Sequence, residues 1–308
     1  MQEQFTKFAD NIRLTAIQEA DAKTKYDGVC EKLHISYYNT VYDGKTKYLF
    51  GSYKTKTNIR PFSDKHDVDV LFKIPKEVYE RFKAYKTNGP SALLQEVKTF
   101  LNEKYTTTDH IKAWGKVVLV KFKENAHNVE VLPAFPEEDG TFTIPNSEGN
   151  GSWEKFDPRQ QVSDFQSSNT STNGLTADLT RMIKTWADKT ATCNYKSFQL
   201  LGDVMKFLKK KYTTGAEYAE YSKVVKDFFE FLKSDCDNVI ESFVKTASDR
   251  ANKAYDFEID DKPKEASEEW RKIFGSNGYS DFPIVTSNPV KESNTRVFSN
   301  PSAPYGNY

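Results

Sequence analysis

Two aspartates separated by a single residue interrupt an apolar run near residue 70. In the segment DVDVLF, Asp67 and Asp69 alternate with Val68 and Val70. Residues i and i+2 of a β-strand point to the same face, so the valines would face a core while both carboxylates share the opposite face. Carboxylates held that close repel each other, and a divalent cation relieves the repulsion. The pattern predicts a Mg²⁺ site completed by water and substrate phosphates.

A third acidic residue repeats this pattern further along the chain. In NVEVLPAF, Glu130 alternates with Val129 and Val131, so its side chain should point away from the core. Three carboxylates on two neighbouring strands could hold two ions about 3.5 to 4 Å apart. Two ions at that spacing can hold the attacking and the leaving oxygen of an in-line phosphoryl displacement.

A Gly-Ser dipeptide follows the short apolar strand KYLF. Gly51 lets the backbone approach a ligand closely, Ser52 offers a hydroxyl, and a short helix starting here would present free N–H groups to an anion. Alone, Gly-Ser is most often a turn and Asp-x-Asp is most often an exposed edge or a cap. The order Gly-Ser, Asp-x-Asp, flanked Glu favours a cleft that binds triphosphate and metal together.

Composition limits the other possibilities. The chain has 308 residues, enough for two ordinary domains, and its 44 basic and 44 acidic residues balance, so no overall field attracts a polyanion. Its three widely spaced cysteines (Cys30, Cys193 and Cys236) predict neither a disulfide framework nor a zinc site. Without a run of about 18 apolar residues, a cytoplasmic protein with no membrane association is expected.

Hydrophobic periodicity predicts a mixed first half and a helical second half. One long N-terminal helix, or two, should precede the aspartate strand at 67–74, with helices near 76–86 and 90–105 and a β-hairpin formed by KVVLVKF and NVEVL. After a loop or short hairpin at 133–158, helices are expected from 175 onwards, near 216–233 and 238–257, and in KEASEEWRKIF. One predicted apolar stripe joins Phe198, Leu201, Met205 and Leu208.

In this order the segments resemble the nucleotidyltransferases of the DNA polymerase β superfamily. More specifically, they are similar to the bacterial cyclic oligonucleotide synthases, relatives of cyclic GMP-AMP synthase and oligoadenylate synthase that make second messengers in anti-phage defence. The resemblance covers about residues 5–283. It rests on GSYKTKTNIRP, VEVLPAF, TFTIPN with WEKFDP, LTRMIKTWADK with YKSFQLL, and EWRKIFG with DFP.

The resemblance implies an α+β fold in two lobes around a cleft. A polymerase β-like nucleotidyltransferase core, a mixed sheet with helices and a long N-terminal helix, would occupy residues 1–160. An oligoadenylate synthase-like helical domain would occupy 161–285, and a flexible tail 286–308. The tail is Ser, Asn and Pro-rich, and either docks or conjugates a partner protein or is only a solvated end.

The resemblance also assigns roles. Asp67, Asp69 and Glu130 would bind Mg²⁺, with Mn²⁺ as the alternative ion, and Gly51 and Ser52 would hold the donor triphosphate. From the helical half, Lys184 and Ser197 would reach the donor's phosphates; otherwise Lys184 is a solvated lysine and Ser197 a simple helix-start residue. Two positions depart from the family: Glu130 stands where Asp is common, and Lys56 stands where Gly is frequent.

The implied activity condenses NTPs into a cyclic di- or trinucleotide with release of pyrophosphate. ATP is the expected substrate, with GTP, UTP or CTP as further ones, and the product would activate a downstream effector. A template-independent enzyme that adds nucleotides to RNA or another hydroxyl acceptor remains an alternative, and an idle nucleotide-binding scaffold is disfavoured by the intact triad. The base-stacking aromatic stays open among Tyr53, Tyr195 and Phe198, and Lys54 and Lys56 could touch a nucleotide or solvent.

Overall fold

The computed structural model describes residues 1–61, 67–107, 110–122, 127–190, 193–212, 220–275 and 281–289. The helices are α1 (Gln2–Ile12), α2 (Ala16–Tyr38), α3 (Gly51–Lys54), α4 (Lys76–Lys83), α5 (Gly89–Lys104), α6 (Pro158–Ser171), α7 (Leu175–Lys189), α8 (Ser197–Lys211), α9 (Tyr221–Lys233), α10 (Glu241–Ile259) and α11 (Pro263–Phe274). The strands are β1 (Lys47–Leu49), β2 (Asp67–Lys73), β3 (His110–Trp114), β4 (Val117–Lys121), β5 (Asn128–Pro136), β6 (Phe142–Asn146) and β7 (Ser152–Phe156).

A mixed sheet forms the first half of the molecule. Its strand order is β1-β2-β5-β4-β3, and β6 and β7 extend from the end of β5. Strands β2 and β5 are parallel, whereas β1 pairs β2 and β4 pairs β5 in the antiparallel direction. The hairpin of β4 and β5 and the α+β class are therefore confirmed. The centre of its predicted turn, residues 123–126, lies outside the described residues.

Strand β3 was not predicted from the sequence. In HIKAW only Ile111 is buried, so a regular apolar alternation is missing. The strand is fixed by its partner, because it pairs with β4 from His110 opposite Lys121 to Trp114 opposite Val117. It belongs to the edge of the sheet, away from the carboxylates.

The N-terminal helical pattern is two helices. Thr15 caps α2 in a capping box, accepting from the Gln18 backbone N–H while the Gln18 side chain accepts from the Thr15 backbone. Because the chain breaks between α1 and α2, the two helices pack into different hydrophobic cores. Helix α2 buries Val29, Cys30 and Leu33 against the sheet, whereas α1 buries Phe5 and Phe8 among the C-terminal helices. The predicted domain bounds assigned the whole N-terminal helix to the sheet half.

Helices α7 to α11 build the second half around a separate aromatic core. Phe5 of α1 lies 5.0 Å from Trp270 and 4.8 Å from Phe282, measured between ring centroids. Helix α7 is the central helix, because its residues from Leu175 to Ala187 are all buried. Polar side chains on such a helix must find partners inside the protein.

Three further observations concern the cysteines, the lengths of the helices and the tail. All three cysteines are free. None of the helices in the described part of the chain is long and apolar enough to cross a membrane. The predicted tail begins within the described residues but, from residue 290 onwards, lies outside them.

Candidate active site

The three predicted carboxylates meet on neighbouring strands. Asp67 and Asp69 lie on β2 and Glu130 lies on β5, with Asp69 directly opposite Glu130 in the parallel register. The intervening Val68 and Val129 are fully buried. The period-2 alternation thus places apolar side chains in the core and the carboxylates on the other face, as predicted from each strand's own sequence.

Burial and mutual repulsion disfavour the charged forms of these carboxylates. Desolvation, and then the charge of Asp67, raise the pKa of Asp69 to about 7, although the cation of Lys184 acts in the opposite direction. Desolvation also raises the pKa of Glu130 to about 7, with further contributions from Asp67 and Asp69. Such a group of acids is stabilised when a cation lies between its members.

The donor set fits a divalent cation with oxygen ligands. Carboxylates on adjacent parallel strands supply the hard oxygen atoms that Mg²⁺ and Mn²⁺ bind. Among the described residues, no three acidic, histidine or cysteine side chains stand in a closed ligand cluster.

Gly51 lies against the face of β2 that carries the carboxylates. Its φ of +62° is left-handed, and a Cβ atom at this position would collide with the carboxylate of Asp69. Only glycine satisfies both conditions. Ser52 follows in α3, and its Oγ accepts a hydrogen bond from Asn58 Nδ2 at 3.0 Å. Because that bond occupies an acceptor position, the Ser52 hydroxyl can donate its hydrogen to a phosphate.

Lys184 reaches this site from the helical half. The side chain is buried, and its Nζ donates to Thr57 Oγ1 at 3.2 Å, which rules out a solvated lysine. Desolvation lowers its pKa to about 8, while Asp69 acts to raise it. A buried cation that approaches a group of carboxylates and the segment after α3 suits an anionic substrate.

A cleft of about 360 Å³ joins the two halves. The sheet half contributes all three carboxylates, Gly51 and Ser52, and the helical half contributes Lys184, Ser197 and Phe198. Ser197 is the first residue of α8, where backbone N–H groups without intrahelical partners can meet an anion. Every predicted site residue therefore lines one cleft.

The sequence did not single out several polar residues beside the cleft. Thr57 and Asn58 line it and bond to Lys184 and Ser52. Lys54 and Lys56, which the sequence left open between nucleotide and solvent, line a second cavity of about 880 Å³. Short polar side chains in a loop carry no periodic signal, so only their tertiary partners reveal them.

The structure separates the three candidate stacking aromatics. Tyr195 is buried, and its hydroxyl donates to Asp203 at 2.6 Å. Tyr53 lines the second cavity. Phe198 lines the cleft with 74% of its surface exposed, which corrects its predicted place in the apolar stripe of α8. The buried face of that helix uses Leu200, Leu201, Val204, Phe207 and Leu208.

The fold is that of the polymerase β-like nucleotidyltransferases. Residues 1–169 match the family model described as the Second Messenger Oligonucleotide or Dinucleotide Synthetase domain. The chain belongs to this family, and it is a nucleotidyltransferase of the cyclic oligonucleotide synthase type. None of the curated proteins compared with the chain matches it.

Solved structures of cyclic nucleotide synthases share the fold. The CdnC protein of E. coli MS115-1 in complex with HORMA-deltaN has a TM-score of 0.64 and 15% identity, covering 91% of this chain and 98% of that one. DncV of Escherichia coli with 3′-deoxy GTP bound has a TM-score of 0.64 and 14% identity, covering 86% and 92%. Vibrio cholerae DncV, a cyclic AMP-GMP synthase, has a TM-score of 0.60 and 15% identity, covering 89% and 86%.

Proposed function

We propose that the protein condenses NTPs into a cyclic di- or trinucleotide second messenger, with Mg²⁺ bound at Asp67, Asp69 and Glu130. The observation that carries this proposal is the register of Asp69 opposite Glu130 in a cleft that also contains Gly51 and Lys184. Mg²⁺ or Mn²⁺ bound there would neutralise phosphate charge and make an attacking hydroxyl more acidic.

The residues of this chain orient the donor nucleotide. The Ser52 hydroxyl donates to the triphosphate, the α3 backbone N–H groups face it, and Lys184 and Ser197 bind it from the helical half. A ribose hydroxyl of a second NTP forms a bond to the α-phosphorus, the bond to the β-phosphate oxygen breaks, and pyrophosphate leaves. Glu130 or an ordered water accepts the proton. A second round closes the ring.

The two halves have separate tasks in this proposal. We assign the nucleotidyltransferase core to residues 1–160, the helical domain to 161–285 and a tail to 286–308. The core supplies the carboxylates and the helical domain supplies the Lys184 ammonium group, so alignment and charge neutralisation provide most of the acceleration. The proposed setting is the cytoplasm, in anti-phage defence, with a downstream effector that binds the product.

A regulatory protein is a further proposed partner. The related CdnC protein has been solved in complex with a HORMA protein, HORMA-deltaN. For this chain, the tail is the proposed docking or conjugation site.

The alternative function is template-independent addition of nucleotides to RNA or another hydroxyl acceptor, and the balanced overall charge favours small substrates over RNA.

Product analysis tests the proposal directly. The protein is incubated with the four NTPs and Mg²⁺, the mixture is treated with phosphatase, and the products are identified by mass spectrometry. A phosphatase-resistant cyclic product is expected from the wild type and from the surface control Asp249→Asn. Asp69→Asn should lose at least about 100-fold in rate. Equal product from wild type and Asp69→Asn would reject the carboxylate site, and extension of an added RNA would favour the alternative.

A further inference from the structure

The segment after α3 contains a strained residue next to the phosphate-binding groups. Lys56 has a left-handed φ of +53°, a conformation that non-glycine residues seldom adopt. Its neighbours face the cleft: Thr57 N donates to Ser52 O at 2.9 Å, and Asn58 donates to Ser52 Oγ. The backbone conformation of Lys56 therefore directs Thr57 and Asn58 back towards Ser52, where both donate their hydrogen bonds.

One turn of α7 holds this segment at two consecutive residues. Arg181 Nη1 donates to the backbone carbonyl of Lys56 at 2.6 Å, and Lys184 Nζ donates to Thr57 Oγ1 at 3.2 Å. Positions i and i+3 lie on the same face of a helix, which explains how both side chains reach one loop. A strained backbone persists only when its surroundings fix it.

Arg181 is itself oriented by a buried cluster. Its other Nη atom donates to Asp178 Oδ1, which also accepts from Arg13 Nη2 at 2.7 Å. The Tyr221 hydroxyl donates to Asp178 Oδ2 at 2.6 Å. Asp178 and Arg181 are both nearly fully buried. Helices α7 and α9 and the end of α1 thus fix the guanidinium in one position.

We infer that Arg181, held by Asp178, Arg13 and Tyr221, is a positioning residue that fixes the left-handed peptide of Lys56 and so aligns Ser52 and Thr57 with the donor phosphates. This inference rests on the proposed function for its kinetic consequence, but its structural part does not. It also explains how a lysine occupies a position better suited to glycine.

A double-mutant cycle tests the inference. Arg181→Lys keeps a positive charge beside Asp178 but cannot bond both Asp178 and the Lys56 carbonyl, so NTP turnover should fall about 10- to 100-fold. Lys56→Gly should restore most of the activity lost in Arg181→Lys, because glycine adopts a positive φ without strain. Lys56→Ala removes the same side chain without that freedom and should restore nothing.

A matched control and a second readout separate the outcomes. Arg250 donates a similar bond to the Lys272 carbonyl at 2.9 Å, and Arg250→Ala should leave turnover unchanged. In thermal unfolding, Arg181→Lys should lower Tm more in a chain that keeps Lys56 than in a chain that carries Lys56→Gly. The two decreases in Tm should differ by about 2 to 4 °C. Equal losses in both backgrounds would overturn the inference. If the wild type forms no product, the proposed function fails, and the Tm cycle alone decides the positioning role.

Discussion

Lys184 is a buried lysine whose charged form the folded protein disfavours. Its folded pKa of about 8 lies below the ordinary 10.5, because burial removes water from the ammonium group. A lowered lysine pKa means that the charged form reduces stability near neutral pH, and this cost disappears as pH rises through about 8 towards 10.5. A residue of this kind serves ligand binding more than folding.

Replacement of Lys184 by Met should therefore separate activity from stability. Methionine has a similar length and no charge, so turnover should fall about 100-fold while Tm changes by only about 2 to 4 °C. The check combines initial-rate kinetics with thermal unfolding at pH 7. Lys206→Met, an exposed lysine on α8, is the control and should retain full activity. Retained turnover in Lys184→Met would contradict the assignment.

The acidic residues predict a pH-dependent stability in the absence of metal. The folded pKa values of Asp69 and Glu130, both about 7, lie above the ordinary 3.8 and 4.5. Between about pH 4 and 7 the folded state then binds more protons than the unfolded state, so these two groups make stability fall as pH rises through that window. Metal binds the deprotonated acids, so Mg²⁺ should stabilise the protein more at pH 8 than at pH 5.

The measurement compares Tm across pH 4 to 8 for wild type and Asp69→Asn, each with chelator and with Mg²⁺. The wild-type Tm minus the variant Tm should fall with rising pH in chelator. Mg²⁺ should raise the wild-type Tm at high pH more than the variant Tm, and so reverse part of that fall. A difference that stays flat in both conditions would contradict the raised pKa of Asp69.

At the scale of elements, sequence patterns predicted the features that depend on a single strand or helix alone. The alternation around Asp67, Asp69 and Glu130 assigned their faces correctly, because the side-chain period of a strand is a local property. The parallel register that places Asp69 opposite Glu130 is not local, since α4, α5, β3 and β4 lie between the two strands. The alternation and the family resemblance assigned the three carboxylates to neighbouring strands of one site, whereas the register itself is seen only in the structure.

The residues that the sequence missed are polar side chains used inside the protein. Charged residues on a helix usually face water, so nothing in LTADLTRMIK indicates that Asp178 and Arg181 are buried. Their partners, Arg13 and Lys56, are far away in the sequence. Phe198 shows the converse: a periodic apolar position that the fold leaves exposed at the cleft.

The first turn of α8 should control nucleotide binding. Phe198→Ala should raise KM for NTP about tenfold, because stacking of a base on an aromatic ring contributes about 1 to 3 kcal/mol. Tm should hardly change, since the ring is mostly exposed. Steady-state kinetics with ATP give the result; Phe198→Tyr should behave like wild type, and Val239→Ala, another exposed apolar residue, should have no effect. An unchanged KM in Phe198→Ala would show that the base binds elsewhere.

At the scale of the whole molecule, α1 links the start of the chain to its far half. Phe8 is fully buried among C-terminal helices, with its ring centroid 4.7 Å from that of Phe274 and 5.5 Å from that of Phe282. Arg60 N donates to Ile12 O at 3.1 Å, which ties the same helix to the segment that follows α3. The helical half is therefore completed by residues that precede the sheet in sequence.

Phe8→Ala should destabilise the helical half first. Deletion of a buried phenylalanine side chain costs about 3 to 5 kcal/mol, whereas Ile17→Ala, at an exposed site on α2, should stay within about 0.5 kcal/mol. Denaturant unfolding gives the free energy, and hydrogen exchange should show greater loss of protection in α7 and α11 than in β2 and β5. Because α7 carries Lys184, NTP turnover should fall with that protection. A loss spread evenly over both halves would mean that the two cores unfold as one unit, and α1 would then have no special tie to the helical half.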